Sequence, residues 1–447
     1  MINFFFFLFL IIFITINYKI IRKNYLSDNL SNPLLLFGLF FFIIHMLLPY
    51  LQWVNSEFRY KSNYDIGVYI YSIFYTFLAY LLCFISFQIG YKSKDNKAKL
   101  NVSTQKVNFN LSKKLVNIIF KINVIVFFIG LYFAYKVYSQ ISVLGQEDYL
   151  RDRIGLGVGS GINMLLPHWI YISSLIFYFL YSSTKSTYKS QSKYSFVFFL
   201  ISFLATTIYY STNSNRNSIF ILLLNILIIH FVFQKIKIKK LSFKNFMFLL
   251  FAGIIATILF YEIGKARYGT LYVGEDKFTL LDNLNGAFGN HENIVWMQES
   301  NYDDYFYGET YLAGLTNFVP RSIWSEKPLG AGPKMKNIIY PGSYVVGKEG
   351  NSSLTTGLFN ELLMNFGTIG MLLGGVFFGF FMKYIYVKIK LSNSIINILF
   401  LQYTLIVFTS QFIYAEFLGF FSRYIITIIP FLIIKFFYYR NSLKIQI

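Results

Sequence analysis

The apolar runs of this chain leave it few folds to choose from. Residues 4–14, 33–53, 196–208 and 246–260 are too long and too free of charge for a soluble core. They suit helices of ~20 residues that cross ~30 Å of hydrocarbon. Eleven such spans are predicted, beginning near Ile2, Pro33, Ile66, Leu115, Ile162, Ser195, Ser218, Asn245, Thr356, Ile395 and Arg423. The expected fold is an all-α polytopic transmembrane helical bundle, one integral domain over residues 1–447. One large extracytoplasmic loop, residues 264–355, joins spans eight and nine. A chain that is 55% hydrophobic and only 13% charged fits that class.

The charges are sorted along the chain. Alternate hydrophilic gaps, with the C-terminal tail, hold 24 Lys/Arg and two acids, Asp28 and Asp95. The intervening gaps hold 14 Lys/Arg against 17 Asp/Glu. Basic gaps face the cytoplasm, so the N-terminus is expected outside, the C-terminus inside and the large loop outside. The net charge of +20 is thus accounted for by orientation and gives no reason to invoke a nucleic acid. The first 21 residues have no basic n-region and no small-residue cleavage site, so they read as a span and not as a removed signal peptide. A lone cysteine, Cys83, excludes a disulfide framework and a thiolate metal site. The chain carries no Walker motif and no DxD carboxylate pair, which disfavours ATP-driven transport and nucleotide-sugar chemistry.

Chemistry is therefore sought at the outer face. Arg216 follows a Ser/Asn stretch between two apolar runs; a guanidinium there matches phosphate oxygens, although a snorkelling helix anchor would give the same spacing. Lys265 and Arg267 leave the eighth span at headgroup depth beside Glu262. His291 precedes an acidic and aromatic stretch, Tyr302-Asp303-Asp304-Tyr305-Phe306-Tyr307-Gly308-Glu309, whose carboxylates and rings suit sugar hydroxyls and sugar faces. An interfacial aromatic belt is the other reading of those tyrosines. No HxxxH or HExxH spacing marks a metal site, and no cofactor is expected. Arg321 and Lys327 lie in an elbow fixed by Pro320 and Pro328. Glu361 is an acid at the edge of an apolar run, costly unless paired or functional.

Taken in order, Tyr307-Gly308-Glu309, then Val319-Pro320-Arg321-Ser322-Ile323-Trp324-Ser325-Glu326-Lys327-Pro328, then Glu361 with Asn365-Phe366-Gly367 and Gly370, the outer segments resemble the oligosaccharide repeat-unit polymerases. These are the Wzy-type O-antigen and capsule polymerases. The resemblance covers roughly the C-terminal half, and Arg216 resembles the arginine of that family's outer motif. It implies a glycosyltransferase in the bacterial plasma membrane. A growing glycan on undecaprenyl pyrophosphate would be moved onto an incoming lipid-linked unit, without a metal or other cofactor. Implied partners are the bilayer and a flippase and chain-length regulator of the same pathway. Arg216, Arg267 and Arg321, with Lys265 and Lys327, are expected to hold pyrophosphate. Glu361, then Glu309 or His291, is expected as the general base. An O-antigen ligase shares the architecture and donor, and a lipid-linked-oligosaccharide flippase is the rival from another class.

Overall fold

A computed structural model describes residues 2–27, 32–91, 111–145, 148–149, 161–213, 215–233, 247, 253–254, 257–258, 260–266, 279–300, 302, 304–346, 353–392 and 394–443. The chain is all-helical there, with no strand among the described residues. Its helices are α1 (Ile2–Ser27), α2 (Pro33–Asn55), α3 (Ile66–Tyr91), α4 (Lys113–Leu144), α5 (Gly161–Thr184), α6 (Lys189–Thr212) and α7 (Arg216–Phe233). Then come α8 (Leu280–Phe288), α9 (His291–Glu299), α10 (Glu309–Leu315) and α11 (Ala331–Ile339). The last three are α12 (Leu358–Leu391), α13 (Ile395–Tyr414) and α14 (Phe417–Leu443).

Nine of the described helices, all but α7 to α11, are long and apolar enough to cross a membrane. The chain is thus a multi-pass membrane protein by its helices. α7 is shorter, and the span expected near Asn245 falls mostly outside the described residues. α6 and α14 begin at Lys189 and Phe417 rather than at Ser195 and Arg423. Hydropathy misses these first turns because a helix continues through a polar turn, or past an arginine whose guanidinium finds a partner. Arg423 has one, donating from Nη1 to Ser218 Oγ at 3.2 Å. The stretch expected as the large loop, residues 264–355, contains the short helices α8 to α11.

The helices form two compact units. One comprises Met1–Thr104, Thr279–Leu391 and Thr404–Ser422; the other comprises Gln105–Phe278, Ser392–Tyr403 and Arg423–Ile447. In the first, α3 and α12 pack along each other through small residues. Gly375 and Gly379, one turn apart, meet Ala79, Cys83 and Ser86, and a Cβ at position 375 would lie 2.5 Å from the Ala79 carbonyl oxygen. Between lipid-facing helices this close backbone approach replaces the hydrophobic effect as the source of association. Phe37 and Phe41 of α2 stack on Tyr80 of α3 at 5.7 and 4.5 Å. In the second unit, α4, α5 and α6 join through polar contacts: Asn123 Nδ2 donates to Ser173 O at 3.0 Å, and the Ser174 and Thr206 hydroxyls are 3.2 Å apart.

Candidate functional site

The first unit is organised around a break in α12. Gly367 has φ 65° and ψ −166°, a conformation that only glycine adopts without strain. The break denies the Met364 and Asn365 carbonyls their helical partners. A strap from residues 305–308 takes the places of those partners: Phe306 N–H donates to Met364 O and Tyr307 N–H to Asn365 O, both at 3.0 Å. Gly308, itself at φ 91°, donates its N–H to Asn365 Oδ1 at 3.0 Å. Tyr305 lies over the break, where a Cβ on residue 367 would come within 2.9 Å of its ring and hydroxyl.

Glu361 is one and a half turns before the break and fully buried. Thr310 Oγ1 donates to Glu361 Oε1 at 2.8 Å, and Phe417 N–H donates to Oε2 at 2.6 Å. Asn365 Nδ2 completes the network, donating to Thr310 Oγ1 and to Glu361 O, each at 2.7 Å. Because Phe417 is the first residue of α14, Glu361 also caps that helix, its carboxyl oxygen accepting from one of the orphan N–H groups at the helix start. Glu416 does the same for α11, accepting from Gly332 N–H at 2.6 Å, while its burial holds its pKa above the usual carboxylate range. The two acids thus clamp α10, α11, α12 and the start of α14 together.

The other expected residues of this unit are spread around that core. Glu309 is exposed and paired with Lys334, whose ammonium lies 3.9 Å from the Phe306 ring centroid. His291 is fully buried with its Nε2 2.9 Å from Ser72 Oγ, and burial pushes its pKa down to about 3. Such an imidazole stays neutral and binds a proton poorly. Lys327 donates to Asn317 O at 3.0 Å and Val319 O at 3.1 Å, so its ammonium ties the proline elbow; burial, then the charge of Arg321, lowers its pKa. Arg321 donates to Ser325 O at 3.1 Å across the same elbow.

The remaining cations belong to the second unit. Arg216, expected at an exposed membrane edge, is instead only 7% exposed, with its guanidinium carbon 5.4 Å from the Phe260 ring centroid. An arginine reaches such a position because its flat, weakly hydrated head stacks on a ring. Lys265 is exposed, and Arg267 lies outside the described residues. Arg423 joins Arg216 in this unit, bonded to Ser218, and its Nε is buried with no hydrogen-bond partner among the described residues.

Two features had no clear signal in the sequence. Glu292 is fully buried and accepts from Arg59 N–H and Tyr60 N–H, each at 2.8 Å, and from the Tyr64 hydroxyl at 2.6 Å. Burial raises its pKa against those bonds, and it pins the loop between α2 and α3. The second feature is a cleft of about 510 Å³ lined by Asp65, Tyr71, Tyr75, Gln298, Tyr302 and Tyr305, with Leu363 and Thr368 at the break of α12. Only the Tyr302–Tyr305 stretch marked that cleft in advance, since Tyr71 and Tyr75 read as part of a span. No protein-family model, curated protein or solved structure matches this chain.

Proposed function

We propose that this protein is a glycosyltransferase that polymerises polyprenyl-pyrophosphate-linked oligosaccharide repeat units at the outer face of a bacterial plasma membrane, with its N-terminus outside and its C-terminus inside. One observation carries the reading. The segments that hold the sequence resemblance, residues 307–309, 319–328 and 361–370, lie in one unit, and the first is bonded to the third. Tyr307 and Gly308 are bonded to Asn365, Thr310 to Glu361, and Asn317, which anchors Lys327, to Ser422 Oγ at 2.7 Å. The bonds to Asn365 and Glu361 join residues 57 and 51 positions apart, at the end of α12 that precedes its break.

In the proposed reaction an acceptor hydroxyl attacks the anomeric carbon of the donor glycan. The bond from that carbon to the pyrophosphate oxygen breaks, and the hydroxyl proton passes to a carboxylate, with Glu361 as the assigned base. The departing polyprenyl pyrophosphate needs cations where its charge develops. Arg321 is the candidate in the unit that holds Glu361; Arg216, Lys265 and Arg267 are candidates on the sequence resemblance alone. Lys327, tied to two carbonyls, is assigned first to the elbow.

The test is reconstitution. Purified protein in lipid, given lipid-linked repeat units, should lengthen the glycan without any nucleotide and in the presence of EDTA. Transfer of preformed chains to a lipid acceptor without lengthening would make it a ligase. Movement of single units across vesicle membranes without new glycosidic bonds would make it a flippase. Either result overturns the polymerase reading.

A further inference from the structure

The cleft beside the α12 break has a chemistry of its own. Four tyrosine side chains converge on it, and among the described residues no lysine or arginine lines it. Asp65 is the only charged group among its described lining residues, so phosphates and anionic headgroups are disfavoured there by charge alone. Its volume falls within the range of small-molecule sites, ~300–1,000 Å³. The walls are set in place before any ligand arrives. Tyr75 donates to the Tyr71 hydroxyl at 2.5 Å with the rings edge to face at 4.4 Å, and Tyr71 remains half exposed. Asp65 Oδ1 accepts from Gly67 N–H at 2.8 Å and Val68 N–H at 3.0 Å, capping α3 while its other oxygen takes no part in the cap. Gln298 Oε1 is buried with no hydrogen-bond partner among the described residues. A buried acceptor of this kind calls for a donor, and a rotation of the Gln298 side chain would turn it into the cleft that the residue lines.

Aromatic faces, one carboxylate, an unfilled amide oxygen and the absence of cations together suit an uncharged polyhydroxyl ligand. An aromatic belt explains tyrosines that face lipid, but not four that share one cavity with Asp65 and Gln298. The cleft also lies away from Glu361. Leu363 lines it, and two helical residues correspond to about 200° of rotation, so Glu361 faces Thr310 and Phe417 instead. We propose that this cleft is a saccharide-binding groove that retains the glycan portion of the lipid-linked chain between additions, apart from the reacting groups and from the pyrophosphate. The proposal rests on the polymerase reading for its ligand, and on the cleft itself for its chemistry.

Its test uses full-length protein in nanodiscs and the oligosaccharide released by mild acid from the cells' own lipid-linked pool. Saturation-transfer NMR should show sugar protons in contact with wild-type protein. Tyr302→Ala and Gln298→Ala should weaken that binding about five- to tenfold, the scale of one stacked ring or one buried hydrogen bond. Tyr302→Phe, which keeps the ring, should restore it. In polymerisation assays the two alanine variants should give shorter chains, with the rate of a single addition within about twofold of wild type, a split that general loss of structure would not produce. Tyr340→Ala, an exposed tyrosine outside the cleft, should change neither. Normal binding and normal chain length in folded Tyr302→Ala and Gln298→Ala protein would overturn the groove while leaving the polymerase standing. Sugar binding that is lost in these variants, in a wild-type protein that forms no glycosidic bond, would keep the groove and remove the polymerase. Displacement by glycerophosphocholine but not by sugar would assign the cleft to a lipid headgroup and overturn the proposal.

Discussion

The proposed reaction gives Glu361 a second duty beside its cap, and a substitution can separate the two. It caps α14 through Phe417 N–H and is assigned the acceptor proton. Glu361→Gln keeps the side chain's length but not its basicity. If Glu361 is the base, the rate falls by about 10²–10⁴ in protein that still elutes as a folded species. Loss of folded protein with an unchanged rate per folded molecule would leave only the cap. Arg216→Ala should cost about 10²–10³ in rate if the guanidinium meets the leaving pyrophosphate, and Arg216→Lys should recover only part of it. Because Arg216 is buried, the alanine variant should also show a reduced yield, so rates must be read per folded molecule. Wild-type chain lengths in Arg216→Ala cells would remove it from the clamp. His291 predicts a pH effect. Its pKa falls from 6.5 to about 3 on folding, so the unfolded chain binds the extra proton first. Its contribution is complete above pH 6.5 and is lost as pH drops toward 3, at up to about 1.4 kcal/mol per pH unit. Melting of His291→Gln across pH 4 to 7 should show a shallower acid-side fall than wild type; parallel curves would refute it.

The decisive element is α12. At ~1.5 Å per residue, its 34 residues would extend ~51 Å, well beyond ~30 Å of hydrocarbon. The stretch after Gly367 is long enough to cross unaided, which frees the Glu361 turn to pack against the strap of residues 305–310. Gly367→Ala places a Cβ against Tyr305 and imposes a backbone angle that costs about 1–3 kcal/mol for a side-chain-bearing residue. Its melting temperature in detergent should drop by several degrees, with activity falling alongside. An unchanged melting curve would mean that the break is not held as described. Apolar periodicity announced α12 as a span, and the glycine was visible, but nothing local marked residue 367 as the point where the helix parts. Gly370, Gly374, Gly375 and Gly379 follow in the same run, and of those five only Gly367 has a positive φ. What distinguishes it is the strap from residues 305–308, far away in sequence.

For the molecule as a whole, the charge asymmetry predicts orientation. Cys83 is the single cysteine and is buried in α3, so Cys83→Ser gives a clean background for labelling. A membrane-impermeant maleimide applied to intact cells should modify Ser325→Cys and spare Lys239→Cys until the cells are opened. Residue 239 lies outside the described residues, and its side of the membrane is predicted from the basic run around it. Labelling of Lys239→Cys in intact cells would invert the orientation and take the outer site with it.

Length, apolarity and charge sorting determined the membrane class and the helical fold, because hydrocarbon acts on each span through its own residues and hardly consults the rest of the chain. They also marked Glu361, since an acid in an apolar run is conspicuous wherever it folds. Which partners hold that acid was decided by tertiary structure. The Thr310 hydroxyl, the Phe417 N–H and the Asn365 amide reach it only when residues 305–310 and the start of α14 fold onto the α12 break. The same holds for Glu292, for the burial of Arg216, and for the cleft, whose tyrosines come from α3 and from a loop more than 200 residues later. Hydrogen bonds and stacked rings act over a few ångströms, and at that range proximity along the chain says little about proximity in space.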